Sequence, residues 1–167
     1  LQKRGIDYRG VIYAGLMLTS QGPKVIEFNC RFGDPECQTL MPLLGSEFAD
    51  VLHACALGSL DKAPKLSIAK GCSACVVAAA SGYPEAARSG DLIQINLESN
   101  SSLQIFHAGT KRTAKNEILT SGGRVLSVVA QGESFDVAFN NVYQGLKKIH
   151  FNGITIRKDI GHQVRKF

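Results

Sequence analysis

A chain of 167 residues, 44% hydrophobic and 20% charged, has room for one domain or two small ones and the balance of an ordinary globular protein. No apolar run is long enough to cross a bilayer as a helix, and no membrane association is expected. The formal net charge of +5 comes from scattered Lys and Arg, without the dense basic block and interleaved aromatics of a nucleic-acid binder, so it reads as a solvated surface with some positive potential left for a phosphorylated substrate.

The start, Leu1-Gln2-Lys3-Arg4-Gly5, has neither an initiator Met nor a signal-peptide core, and reads as internal to a longer protein. Residues 11–19, VIYAGLMLT, are β-formers, and residues 24–29 form a second strand after the loop signal Ser20-Gln21-Gly22-Pro23; together they predict an antiparallel hairpin. Ser46 is the expected cap of a helix over 47–57, with Phe48, Val51, Leu52 and Cys55 at helical spacing and Gly58 as its stop. Residues 59–71, with Pro64 and three lysines, are the candidate boundary, placing a first domain over 1–66 and a second over 67–167. Short strands follow at 72–80, 92–97, 103–109 and 124–131, with turn signals at Gly82-Tyr83-Pro84, Ser99 to Ser102 and Ser121-Gly122-Gly123. A helix over 134–149, capped near Ser134, presents Phe135, Phe139, Val142, Leu146 and Ile149 on one face, a core stripe. The fold class is α+β: a hairpin plus helix, then a small β-rich domain with a packed helix.

Five cysteines, an odd number without a secretory signal, predict reduced thiols and a cytosolic protein. Cys72-Ser-Ala-Cys75 has C-x-x-C spacing, but no second pair follows and the motif opens an apolar strand, so two strand thiols are expected and no zinc or redox site.

The chemistry-bearing stretch is Lys24 to Glu36, KVIEFNCRFGDPE. Residues at i, i+2 and i+4 of a strand share a face, so Glu27, Asn29 and Arg31 converge if the strand runs through Arg31. A carboxylate and an amide oxygen are hard ligands suited to Mg²⁺, and a guanidinium can neutralise a transferring phosphoryl group or grip a carboxylate. An exposed edge strand with alternating polar residues fits the same pattern, since Ile26 and Phe28 lie between them. Gly33-Asp34-Pro35 is a turn signal.

Glu-x-Asn-x-Arg after an apolar hairpin resembles the metal-binding strand of ATP-grasp enzymes. The longer string GVIYAGLMLTSQGPKVIEFNCRFGDPE, with HAGTKR at 107–112, SGGRVLSV at 121–128 and RKDIG at 157–161, resembles the glycinamide ribonucleotide synthetase family in particular, over nearly the whole chain. The downstream blocks argue against a carboxylase-type ATP-grasp enzyme. The resemblance implies the C-terminal part of an ATP-grasp domain, with an N-terminal lobe upstream and, in multifunctional members, further purine-synthesis domains downstream. It implies ATP, glycine and 5-phosphoribosylamine as substrates. Glu27 and Asn29 become ligands of Mg²⁺ or Mn²⁺, and Arg31 becomes the residue that stabilises an acyl phosphate or grips the glycine carboxylate. Gly33, Asp34 and Pro35 would shape the glycine site, Arg157 and Lys158 would meet the ribose phosphate, and Met17 would line the adenine pocket. Weaker phosphate candidates are Thr110 and Lys111, and His107 is expected to be structural. The position facing Glu27 falls near Gly15, where Ala14-Gly15-Leu16 offers no acid. A non-catalytic interaction fragment of a multifunctional protein is the alternative reading.

Overall fold

The computed structural model describes residues 1–97 and 102–164, so the turn expected over Ser99 to Ser102 lies, Ser102 aside, outside the described residues. The chain forms two compact units: one comprises Leu1–Cys37 and Leu44–Ala69, the other Gln38–Leu43 and the residues from Lys70 onward. The sequence placed a single break after residue 66; the division falls at 69/70 and also assigns the short segment 38–43 to the second unit.

The first unit is built on the expected hairpin. Strands β1 (Tyr13–Thr19) and β2 (Gly22–Asn29) pair antiparallel around the two-residue turn Ser20-Gln21, with Tyr13 opposite Asn29 and Gly15 opposite Glu27. The register then slips: Leu16 faces Val25, which leaves Ile26 as the extra residue of a β-bulge. Strand β2 ends at Asn29, where the predicted span 24–29 ends, so Arg31 lies beyond it in a bend and the condition for its sharing a strand face with Glu27 and Asn29 is not met. The one-turn helix α1 (Glu36–Leu40) follows the Gly33-Asp34-Pro35 turn, and a 3-10 turn over Met41–Leu43 continues it; neither was anticipated.

Helix α2 (Phe48–Leu57) matches the expected helix and stops where expected, because Gly58 takes the left-handed conformation at φ 70° and its N–H bonds the Cys55 carbonyl. Its start differs: Glu47, not Ser46, occupies the cap position, in helical geometry and without a side-chain cap. The Glu47 carboxylate instead accepts from the Ser67 hydroxyl at 3.0 Å, beside the backbone bond from Gly45 N–H to the Ser67 carbonyl. The Phe32 and Phe48 rings meet edge to face at 5.9 Å. Leu52 is exposed, so the predicted apolar face is narrower than its spacing suggested.

The second unit holds the main core. In chain order it contains β3 (Cys72–Ala79), β4 (Gln94–Ile95), β5 (Leu103–His107), β6 (Thr110–Arg112), β7 (Ile118–Thr120), β8 (Arg124–Gly132), helix α3 (Phe135–Leu146), β9 (Ile149–His150) and β10 (Thr155–Ile156). Four strands form one antiparallel sheet in the order β10-β3-β8-β5. Alternation places Ala74, Val76 and Ala78 of β3 with Val128 and Ala130 of β8 in one cluster with Ala138, Phe139, Val142 and Leu146 of α3. The Ser134 hydroxyl caps α3 by accepting from Val137 N–H, as the sequence predicted. The helix ends at Leu146, so Ile149 reaches the core from β9, and Phe135 at the opposite end is exposed.

Two of the blocks that carry the family resemblance, HAGTKR and SGGRVLSV, meet where the backbone crosses itself. Gly109 N–H donates to the Arg124 carbonyl at 2.8 Å and Ser121 N–H to the Gly109 carbonyl at 2.7 Å. A methyl group at Gly109 would lie 2.8 Å from the Arg124 carbonyl oxygen and 2.8 Å from Gly122 Cα, both backbone atoms that cannot swing aside. Gly109→Ala is therefore expected to destabilise the chain by about 2 kcal/mol, the range of overpacked sites. Urea unfolding measures it, and a loss below about 0.5 kcal/mol, the level of a neutral surface change, would contradict this account of the crossing.

Cys72 is half-buried, Cys75 is buried, and neither forms a disulfide. Side chains three apart on a strand point to opposite faces, so the pair cannot share a metal ion or a bond. Among the described residues no group of three or more His, Cys, Asp or Glu side chains is arranged to hold a metal ion. The purified chain is expected to carry no stoichiometric zinc and to titrate all its thiols when unfolded without reductant. Bound zinc, or two missing thiols, would contradict this.

Candidate active site

Directly opposed residues of an antiparallel pair point to the same side of the ladder. The pairings Tyr13–Asn29 and Gly15–Glu27 therefore put four residues on one side, before the bulge changes the register. The Asn29 amide nitrogen donates to Glu27 Oε1 at 3.0 Å, so the two predicted ligands do converge. That bond uses the nitrogen and leaves the amide oxygen for another partner. Gly15 is buried opposite Glu27, and a methyl group there would sit 3.1 Å from Glu27 Cγ and 3.7 Å from Tyr13 Cε1. Glycine at this position is what gives the Glu27 side chain its space.

Two further groups complete this end of the hairpin, and neither was marked as a site residue from the sequence. The Tyr13 hydroxyl donates to Glu36 Oε1 at 3.1 Å, joining the first residue of β1 to the first residue of α1. The bond to Glu36 and that residue's charge push the Tyr13 phenol above its ordinary range, with smaller contributions from partial burial and from the charge of Glu27. Glu36 itself lies over Gly33: a methyl group on Gly33 would come within 2.8 Å of the Glu36 carboxyl carbon. Two carboxylates thus sit at the strand end, each above a glycine, with the Tyr13 ring reaching both neighbourhoods.

The other predicted residues are placed as follows. Arg31 is exposed, and its Nη1 donates to the neighbouring Phe32 carbonyl at 2.7 Å, so its guanidinium is turned to the backbone of the bend. Gly33 is buried, Asp34 exposed and Pro35 half-buried, in the turn between β2 and α1, with a cis bond between Asp34 and Pro35. Met17 lies beyond the bulge, opposite Lys24, and is 54% exposed. In the second unit, Arg157 forms a two-pronged pair with Asp159, Nε to Oδ1 at 3.0 Å and Nη2 to Oδ2 at 2.6 Å, which holds the Asp159 carboxyl below its ordinary range. Lys158 is exposed beside it. His107 Nδ1 lies 3.2 Å from the Thr110 hydroxyl, a local contact across the β5–β6 turn, and Lys111 is exposed on β6. Among the described residues no helix is long and apolar enough to cross a membrane.

An antiparallel hairpin carrying a carboxylate–amide pair at its end, followed by a small antiparallel sheet under one helix, defines a chain of the ATP-grasp class, seen from its C-terminal part. A family model described as phosphoribosylglycinamide synthetase, C domain, matches residues 73–163, and the ATP-grasp (A) domain model of the same synthetase matches residues 1–37. The chain belongs to the phosphoribosylglycinamide synthetase family. It is 48% identical over 166 residues to a phosphoribosylamine–glycine ligase of Nostoc, covering 98% of this chain but only 39% of that relative. A solved structure of phosphoribosylamine–glycine ligase from Thermotoga maritima superposes with a TM-score of 0.81 at 34% identity, over 95% of this chain and 38% of that one. The biotin carboxylase domain of a Hydrogenobacter thermophilus 2-oxoglutarate carboxylase, solved with MgADP, ADP and bicarbonate, shares the fold at a TM-score of 0.61 and 15% identity, over 91% of this chain and 36% of that one. The chain thus spans well under half the length of the proteins it matches.

Proposed function

We propose that the parent protein is an ATP-dependent ligase that joins glycine to 5-phosphoribosylamine, giving glycinamide ribonucleotide, ADP and phosphate, and that Glu27 and Asn29 seat the divalent ion accompanying ATP. The observation that carries this reading is the convergence of Glu27 and Asn29 over buried Gly15, at the end of a strand whose family match is an ATP-grasp domain. The donor set fits the ion: one carboxylate and one amide oxygen suit Mg²⁺, which completes its shell with water and nucleotide phosphates, and Mn²⁺ accepts the same oxygens. When bound, the ion supplies neutralisation of charge moving between phosphates.

The chain's own residues have separate tasks in this scheme. The glycine carboxylate attacks the terminal phosphoryl group of ATP, releasing ADP and leaving a glycyl phosphate. The amine of 5-phosphoribosylamine then attacks the acyl carbon, and phosphate departs. No protein nucleophile is required. Arg31, freed from the Phe32 carbonyl, stabilises the acyl phosphate or holds the glycine carboxylate. The turn Gly33-Asp34-Pro35 borders the glycine, and Met17 lines the adenine. Arg157 and Lys158 meet the ribose phosphate, for which Arg157 exchanges its Asp159 partner for a phosphate oxygen of the same two-pronged geometry. The test is ADP release by the parent protein with each substrate omitted in turn. The proposal expects ADP only with glycine and full turnover only with 5-phosphoribosylamine as well; release indifferent to glycine would overturn it.

A further inference from the structure

The Tyr13–Glu36 contact joins two parts of the site that the backbone leaves independent. Strand β2 ends at Asn29, and the bend and turn that follow have no ladder to hold them against the hairpin. A side-chain hydrogen bond ties the β1 end of the hairpin to α1: the Tyr13 hydroxyl on Glu36 Oε1, bridging 23 positions of sequence. Both ends of this bond are seated on glycine. The Tyr13 ring passes over Gly15, beside the Glu27 side chain, and the Glu36 carboxylate fills the space a side chain on Gly33 would take. Tyr13 is also the cross-strand partner of Asn29. The bond therefore spans from the pair that faces the nucleotide to the turn that borders the amino-acid substrate.

We infer that Tyr13 and Glu36 are a positioning pair: their hydrogen bond fixes the Gly33-Asp34-Pro35 turn relative to the Glu27–Asn29 strand end, and so sets the affinity of the site for the small amino-acid substrate. Neither residue exchanges a proton or a bond with substrate in this role. What matters is an acceptor at position 36 within reach of a donor at position 13. The inference rests on the ligase reading of the same site.

The test uses the full-length parent protein. Tyr13→Phe removes the donor and keeps the ring. Glu36→Ala removes the acceptor, while Glu36→Gln keeps an acceptor oxygen and discards only the charge. Tyr13→Phe and Glu36→Ala are each expected to raise the KM for glycine about tenfold, the scale of one lost hydrogen bond to a charged group, with the KM for MgATP within about twofold. The double variant is expected to be no worse than either single one, and Glu36→Gln to stay within about threefold of wild type. Equilibrium dialysis of labelled glycine with a non-hydrolysable ATP analogue reads the same loss without turnover, and thermal unfolding controls for damage to the fold. An unchanged glycine KM in Tyr13→Phe would overturn the inference. So would effects that multiply in the double variant, a Glu36→Gln as impaired as Glu36→Ala, or equal losses for glycine and MgATP with lowered thermal stability. A wild-type parent without glycine-dependent ADP release would overturn the ligase reading and this inference with it, an outcome visible before any variant is made.

Discussion

Replacing Glu27 with Gln in the parent enzyme is expected to lower turnover about a hundredfold, equivalent to about 2.7 kcal/mol of transition-state stabilisation. The substitution preserves length and branching, and the new amide still offers an oxygen to the Asn29 Nδ2 donor that now sits 3.0 Å from Glu27 Oε1. The seat over Gly15 is likewise unchanged in volume. What disappears is the negative charge, and only a charge-dependent role feels that loss. If Glu27 were an exposed strand residue with no ligand, the change would stay within about 0.5 kcal/mol for both rate and stability. Thermal unfolding is expected to stay level, because the hydrogen bond from Asn29 can persist to the new amide oxygen and the packing over Gly15 is kept. Glu36→Gln is expected to do much less, since the hydrogen bond to Tyr13 survives it. Near-normal turnover of Glu27→Gln at limiting Mg²⁺ would remove the metal role from this strand.

The isolated chain, residues 1–167, is expected to release no ADP in response to glycine and 5-phosphoribosylamine. The matched relatives are more than twice its length, and ATP-grasp proteins hold the nucleotide between two lobes. The hairpin itself shows that this strand pair does not finish its own burial. Leu18 is 82% exposed, Ile26 64% and Phe28 67%, on strands that alternate toward both sides. A two-stranded ribbon with apolar groups on both sides is marginal in water, and a site at its end lacks the rigidity that phosphoryl transfer needs. Glycine-dependent ADP release by purified residues 1–167 would refute this, provided the preparation is free of the host's own synthetase.

The site was partly legible in the sequence because strand geometry is local. Period-two spacing put Glu27 and Asn29 on one side before any fold was known, and the hydrogen bond between them shows that side. The stop at Gly58 and the cap at Ser134 were legible for the same reason, since each is a conformation set by one residue and its immediate neighbours. The strand end at Asn29 was legible as well, in the predicted span 24–29, and it leaves Arg31 outside the ladder, so the condition for its sharing a face with Glu27 and Asn29 is not met. The bulge at Ile26 changes the register opposite Gly15 and Leu16, where alternation gives no warning. Ser46 looked like the better cap, but the Glu47 carboxylate is held by Ser67, 20 residues away. Short strands such as β6, β7 and β9 exist through their partners and lack a periodic pattern of their own. Tyr13 and Glu36 were missed for that reason too: neither has a distinctive local context, and only the folded hairpin brings them together.

The most direct measurement is the binding of Mn²⁺ to the parent protein, followed by the loss of the free-ion electron paramagnetic signal in the presence of ADP. It reports the seat itself, without turnover. The account predicts a bound ion in the wild type that is released at least about tenfold more readily from Glu27→Gln, and again from an Asn29→Leu variant, while both proteins keep their thermal stability. Mn²⁺ held equally tightly by wild type and both variants would contradict the assignment of Glu27 and Asn29 as the metal–nucleotide seat.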